Sequence, residues 1–402
     1  MLKAIKVKLY PNEDQITYIN KLLGTSRFVY NQCLNYKITE YQSNQKSTSF
    51  GEIGKFLTSL KLEYDWIKES HSKVLQQQLI NLDRAYKNFF RDKKGFPKFK
   101  SRHENQSCRF PVDAISSIKG NRINIINSLK DIHFKCSKVD ESYLNHNQKE
   151  IKSATLSRNK CGDYYFSILI DRPNKTLKKV KNDLIGLDLG IKDFIITSEG
   201  CTFENLKSKR NNQDKLSRLQ RNVSKKQKGS KNKEKARIRL AKTYNKINNK
   251  KEYYLHSITN QLLSENQTIV IEDLNVSGML KNHCLARSIQ ELSLNRFKTI
   301  LMYKAEWYGR EVIQVSRWFP SSKLCSCCGY KKDDLTLKDR QWACPECGVI
   351  HDRDINAAIN IKNEGYKIKI GLSSPELTHQ EIKPIGHRRM MKENVEINAV
   401  II

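Results

Sequence analysis

The sequence predicts a multidomain α+β protein: a mainly helical segment, a β-rich module, and an α/β layer that carries a cysteine ribbon. Three observations predict it. Apolar residues recur at helical spacing in the first hundred residues, short strand-like runs between turn residues follow, and from about residue 183 apolar strands alternate with long helical stretches. A length of 402 residues leaves room for two or three domains of ordinary size.

The stretch VKLYPNEDQITYINKLLG opens with a short strand. Asn12 with Gln15 three residues on is a capping-box pattern, and Ile16, Ile19, Leu22 and Leu23 then recur on one helical face. A second amphipathic helix is predicted over 71–91, where Val74, Leu75, Leu79, Leu82, Tyr86 and Phe89 share a face while Lys73, Arg84, Lys87 and Arg91 keep it basic. After the aromatic, basic turn GFPKFKSR, runs such as NRINIINS and DYYFSILI have strand-like content. DLIGLDLGIKDFIIT starts a new sheet, to which QTIVIEDL and REVIQVS add strands. The tail beyond about residue 365 has little periodicity and is expected to be loosely ordered.

Lys and Arg number 73 against 42 Asp and Glu, a formal charge of +31, more than solubility needs and of the sign a polyanion selects. Nucleic acid is the leading partner and a membrane surface the second. Residues 207–251 hold 18 Lys or Arg and two acids, with Leu216, Leu219, Val223, Leu240 and Ile247 as an apolar seam. At helical spacing these cations repel one another unless phosphates neutralise them. No run of about 18 apolar residues exists and the N-terminus lacks a signal-peptide core, so an intracellular protein is expected, neither inserted nor secreted.

Carboxylates stand at three places where chemistry gathers. In LIGLDLGI, Asp188 alternates with apolar residues and would lie opposite the core side chains, with Gly186 and Gly190 leaving the surface beside it bare. Strands disfavour Asp, and an unpaired buried carboxylate costs several kcal/mol, so a divalent cation is the simplest compensation. In TIVIEDLNV an apolar run ends in Glu272 and Asp273, where ligands collect at the carboxyl ends of strands; either acid could instead cap the loop. In HDRDINAAIN, Asp354 and Ala358 share a helical face, and capping by Asp352 or Asp354 is the structural alternative. Hard oxygen ligands without a histidine cluster point to Mg²⁺ or Mn²⁺, and three such acids could hold two ions ~4 Å apart for phosphodiester hydrolysis.

Eleven cysteines in a long chain without a signal do not read as a disulfide scaffold. Cys33, Cys108, Cys136, Cys161, Cys201 and Cys284 are scattered and receive no function. Cys325-x2-Cys328 and Cys344-x2-Cys347 match a four-thiolate zinc ribbon in inner spacing and separation, each pair followed by a glycine, Gly329 or Gly348, suited to the knuckle turn. Cys327 is the spare thiol and His351 the weaker alternative ligand. A closed four-cysteine site is structural, so the ribbon would fix where the next helix, and Asp354, begins.

In the order LYPNEDQ, SRFVYN, GFPKFK, GLDLG, IEDLN, FPSSKLCSCCG, CPECG and HDRDINAAINI, over residues 1–365, the chain resembles the TnpB (OrfB) proteins of bacterial and archaeal insertion sequences, RNA-guided DNA endonucleases related to type V CRISPR effectors. The resemblance implies an RNase H-like (RuvC) α/β nuclease domain whose acidic triad falls on Asp188, Glu272 and Asp354, with an inserted zinc ribbon held by Cys325, Cys328, Cys344 and Cys347. It also implies a helical recognition lobe inserted into a β-barrel-like wedge domain. The boundaries this gives are 1–10 with 105–180 for the wedge, 11–104 for the lobe, 181–322 for the nuclease domain with a basic helical insert at 207–262, 323–349 for the ribbon, 350–365 for the last nuclease helix, and 366–402 for the tail. The implied cofactors are one structural Zn²⁺ and two catalytic Mg²⁺, or Mn²⁺ in their place.

The implied partners are a guide RNA from the transposon end and double-stranded target DNA read beside a short adjacent motif, in the cytoplasm and on the nucleoid when DNA is bound. Two other functions use the same residues: an acid-triad transposase that joins DNA ends directly, and a guided DNA-binding regulator without cleavage. The intact triad weighs against the second, and the long basic insert against the first.

Overall fold

The computed structural model describes residues 1–92, 94–173, 180–206, 210–283, 285–336 and 338–371. They fall into two units, Met1–Leu177 with Leu206–Ser257, and Lys178–Asn205 with Ile258–Ile402. Cys284, residues 207–209 of the basic run and the tail from residue 372 lie outside the described residues.

In the first unit, β1 (Leu2–Tyr10), β2 (Gln106–Pro111), β3 (Ser117–Lys119), β4 (Arg122–Asn124), β5 (Ile132–Lys135), β6 (Ile151–Arg158) and β7 (Tyr164–Asp171) form an antiparallel sheet. Its order is β2-β6-β7-β1-β5-β4-β3. Alternation dictates the buried face: Ile5, Val7 and Leu9 of β1 and Tyr164, Phe166, Ile168 and Ile170 of β7 point into one core. The helices are α1 (Glu13–Asn44), α2 (Phe50–Glu63), α3 (Ser72–Asp92) and α4 (Lys138–His146). Asn12 and Gln15 make the reciprocal capping box at the start of α1. Ile19, Leu22 and Leu23 of α1 pack on the sheet, whereas Val29, Cys33 and Leu34 pack on Leu57 and Leu60 of α2 and Leu75, Leu79 and Leu82 of α3.

Two of the sequence motifs meet here. Asn31 of SRFVYN exchanges two hydrogen bonds with the backbone of Lys100 of GFPKFK, at 2.8 and 3.1 Å. The Lys100 ammonium lies 3.9 Å above the ring of Tyr30, and burial pushes its pKa down to about 8. The basic run supplies α5 (Gln213–Ser224) and α6 (Lys231–Glu265), tied by the Gln220 amide donating to the Tyr244 hydroxyl at 2.8 Å.

In the second unit, β8 (Asn182–Asp188), β9 (Asp193–Thr197), β10 (Thr202–Glu204), β11 (Asn266–Glu272) and β12 (Glu311–Val315) form a mixed sheet in the order β10-β9-β8-β11-β12. β8 and β12 run parallel to β11, and β9 and β10 continue β8 as an antiparallel meander, an RNase H-like layer. The helices α7 (Val276–Met279), α8 (Ala286–Leu292) and α9 (Leu294–Tyr308) lead from β11 to β12. A small hairpin, β13 (Gln341–Ala343) with β14 (Ile350–Asp352), then feeds α10 (Arg353–Lys369), which lies across β8, β9, β11 and β12. No helix among the described residues is long and apolar enough to cross a membrane.

Candidate active site and metal centre

Asp188 and Glu272 are the last residues of β8 and β11, neighbouring parallel strands whose register pairs Leu187 with Ile271. The two carboxylates therefore leave the sheet side by side at its carboxyl edge. Asp354 arrives from above, in the first turn of α10. Its position follows from Gly186: a Cβ there would stand 2.1 Å from the carbonyl oxygen of Ala358, so only glycine lets α10 lie directly on β8. Going back one helical turn, about 5.4 Å, leads from Ala358 to Asp354, while two strand residues, about 6.6 Å, lead from Gly186 to Asp188. The bare surface expected beside Asp188 is thus taken by α10, with Ala357, Ala358 and Ile361 buried against the sheet. Gly365 repeats the device over Val270, whose side-chain carbons lie 2.4 and 2.5 Å from where its Cβ would be.

Burial, then the nearby charges of Glu272 and Asp354, push the Asp188 carboxyl up to about 7 against the opposing pull of Arg353 and the Leu189 N–H. Burial also raises the pKa of Glu272, although the Ser321 hydroxyl donates a short hydrogen bond to it. Asp354 accepts from Arg340 at 3.0 Å and has Arg353 3.8 Å away. The capping alternative falls to its neighbour: the Asp352 side chain accepts from the N–H groups of Asp354 and Ile355, both at 3.0 Å, which leaves Asp354 free of the capping role. Asp273 pairs with Lys298 at 3.2 Å and with Arg317, locking the loop after β11. Glu272 and Asp354 act on the charge of Asp188, yet among the described residues only the four cysteines bring ligand atoms together at metal-holding distance. The three acids are hard oxygen donors, a set that suits Mg²⁺ or Mn²⁺ once the arginine contacts yield.

Cys325, Cys328, Cys344 and Cys347 bring their sulfur atoms within 4.8 Å of one another. The separations of 3.5 Å for Cys328–Cys344 and 3.6 Å for Cys325–Cys347 are close to the ~3.8 Å edge of a tetrahedron with Zn–S bonds of about 2.3 Å, so the site fits zinc. Both knuckles are built alike: Gly329 and Gly348, at φ +81° and +73°, donate to the carbonyls of Cys325 and Cys344 at 2.9 Å. Cys327 is exposed and outside the cluster. His351 is buried with Nε2 3.0 Å from the Cys325 sulfur and lies outside the cluster of four sulfurs.

Sequence reasoning missed the ties between ribbon and helix. Asn356 donates to the Leu324 carbonyl and accepts from the Ser326 N–H, and Asn360 donates to the Ser321 and Leu324 carbonyls. The i, i+4 asparagines of DINAAIN were the available signal. Arg340 and Arg353 flank the hairpin, joined by the Arg353 N–H donating to the Arg340 carbonyl at 2.8 Å.

Between α5 and α6 a cleft of about 810 Å³ is lined by Lys215, Arg218, Lys235, Arg239, Lys242 and Lys246 among others, and by no acid among the described residues.

The family model described as "Probable transposase" matches residues 167–283, one described as "Cas12f1-like, TNB domain" matches 295–361, and one described as "Helix-turn-helix domain" matches 1–46. Over that last stretch the structure holds one strand and one long helix, β1 and α1. A "Putative RNA-guided DNA endonuclease" of Streptomyces pristinaespiralis is 33% identical over 90% of this chain and 89% of its own. A protein of Escherichia coli K12 bearing the same description, InsQ, is 31% identical over 91% and 93%. The solved structure of a Cas12f1–sgRNA–target DNA complex is similar in fold, at 15% identity and a TM-score of 0.55 over 87% of this chain and 82% of that one.

Proposed function

Because this chain belongs to the TnpB (OrfB) family, we propose that it is a transposon-encoded, RNA-guided DNA endonuclease that hydrolyses target phosphodiesters at Asp188, Glu272 and Asp354. The observation that carries this reading is the placing of two strand-end acids side by side at the carboxyl edge of the sheet with Asp354 in the first turn of the helix packed on it; burial, then the charges of Glu272 and Asp354, raise the Asp188 carboxyl to about 7. Acids so placed are unfavourable without a compensating cation, which makes a functional role the economical explanation. Bound divalent ions would activate water and stabilise the leaving oxygen. The protein's own residues hold the acids ready: Ser321 orients Glu272, the Asp273 ion pairs fix the loop behind it, and Arg340 and Arg353 restrain Asp354. Near neutral pH the Asp188 carboxyl is about half protonated, and ligation of a cation would release that proton. Zinc at the four cysteines serves structure, setting where α10 begins.

The seven-stranded sheet serves as the wedge and α1–α3 as the recognition lobe, while the cations of α5 and α6 hold phosphates and base pairing with a guide from the transposon end reads the sequence. The protein acts in the cytoplasm, on chromosomal DNA. Sequencing the RNA that co-purifies with it tests this: a discrete RNA species from the transposon end is expected. Protein that joins DNA ends with no RNA bound would instead favour the transposase reading that the family model's description carries.

A further inference from the structure

The segment that follows β12 rims the carboxyl edge of the sheet, since Val315 pairs with Glu272. It is held at almost every residue. The Ser316 hydroxyl accepts from the Trp318 N–H, Arg317 pairs with Asp273, Phe319 packs on the core, and the Ser321 hydroxyl donates to Glu272. Trp318 is the exception. The residue is 81% exposed, the highest exposure of any large apolar residue described, and its indole makes no hydrogen bond or ring contact among the described residues. A flexible loop could fold such a ring away; this one is fastened on both sides and presents it.

From this geometry, and resting on the endonuclease reading above, we infer that Trp318 is a stacking platform for one base of the single-stranded DNA that enters the acidic site. An indole face accepts any base, so it suits an enzyme whose sequence choice is made elsewhere. The flank is cationic: Lys298 and Arg317 outnumber Asp273, leaving net positive charge for a phosphate beside the ring. Because Ser321, three residues on, bonds to Glu272, a base stacked on Trp318 would seat its neighbouring phosphodiester toward the carboxylates. Trp318 is therefore a positioning residue.

The test uses the protein with its co-purified RNA and single-stranded DNA carrying 5-iodouracil at successive positions, irradiated in Ca²⁺ and mapped by mass spectrometry. A photoadduct on the peptide containing Trp318 is expected, lost in Trp318→Ala, largely kept in Trp318→Phe, and unchanged in the control Trp66→Ala. In Mg²⁺, Trp318→Ala should raise the half-saturating strand concentration roughly 10-fold, the scale of one base–aromatic stack, with the saturated rate within about threefold and with rescue by Trp318→Phe. An unaltered half-saturating concentration, or adducts confined to other peptides, overturns the inference while wild-type cutting leaves the nuclease reading standing. A wild-type protein that gives the Trp318 adduct but never cuts overturns the nuclease reading and leaves the stacking platform.

Discussion

At the residue scale, Asp188 couples the site to pH. Its folded pKa of about 7 lies above the ordinary 3.8, so between about pH 4 and 7 the unfolded chain ionises while the folded one holds its proton. The ion-free fold therefore loses stability as pH rises through that window, and the loss is complete above about 7. On the proposed function a divalent cation would reverse the sign, because it would bind the carboxylate. The Mg²⁺ concentration that half-saturates cleavage should fall about fivefold as pH rises from 6 to 7 and about twofold more by pH 8. A Mg²⁺ requirement flat between pH 6 and 8 would mean that Asp188 is not a ligand. Asp352 and Asp354 show where residue-level reading stopped: two acids two residues apart suit a helix start equally well in sequence, and only the backbone of the cap separates them.

At the element scale, the packing of α10 on β8 sets the geometry of the site. Gly186→Ala would drive a methyl group into the Ala358 carbonyl, so the helix must lift or slide. Overpacking of this kind costs about 1–3 kcal/mol. Thermal unfolding should fall accordingly, and cleavage should be lost although no acid is changed; full activity in a stable Gly186→Ala protein would contradict the packing account. The four-cysteine ribbon is tied to the same helix through Asn356 and Asn360. Cys344→Ser should lower zinc from about one atom per chain and reduce the folded yield, since a four-thiolate site contributes folding free energy directly, whereas Cys327→Ser should keep its metal. Normal zinc content in Cys344→Ser would reject the ribbon. Strand and knuckle were readable because their signals are local: alternation, apolar runs ending in acids, and Cys-x2-Cys-Gly. The purpose of Gly186 was not, because its partner Ala358 is distant in sequence, and the glycine that read as bare surface beside Asp188 is clearance for a helix. Asn356, Asn360 and Arg340 were hidden for the same reason, as each acts on a backbone or carboxylate reached only after folding.

At the scale of the whole molecule, the +31 charge is concentrated in part on α5 and α6, where a cleft lined by cations and, among the described residues, by no acid suits a polyanion partner. Neutralising Lys215, Arg218, Arg239 and Lys246 together should weaken nucleic-acid binding and flatten its salt dependence, by about 0.9 in log–log slope for each phosphate of B-DNA that is no longer neutralised. An unchanged slope would return these helices to a solvated face. On the proposed function binding and chemistry are separable: phosphate neutralisation and base pairing would supply affinity, while the acids would serve mainly the transition state. The most direct measurement of this account is cleavage and binding of an RNA-matched target by the RNA-loaded protein in its wild-type, Asp188→Ala, Glu272→Ala, Asp354→Ala and Asp273→Asn forms. The three alanine variants should bind the target nearly as the wild type does and fail to cut it, and Asp273→Asn should keep substantial activity; normal cutting by the alanine variants would contradict the account.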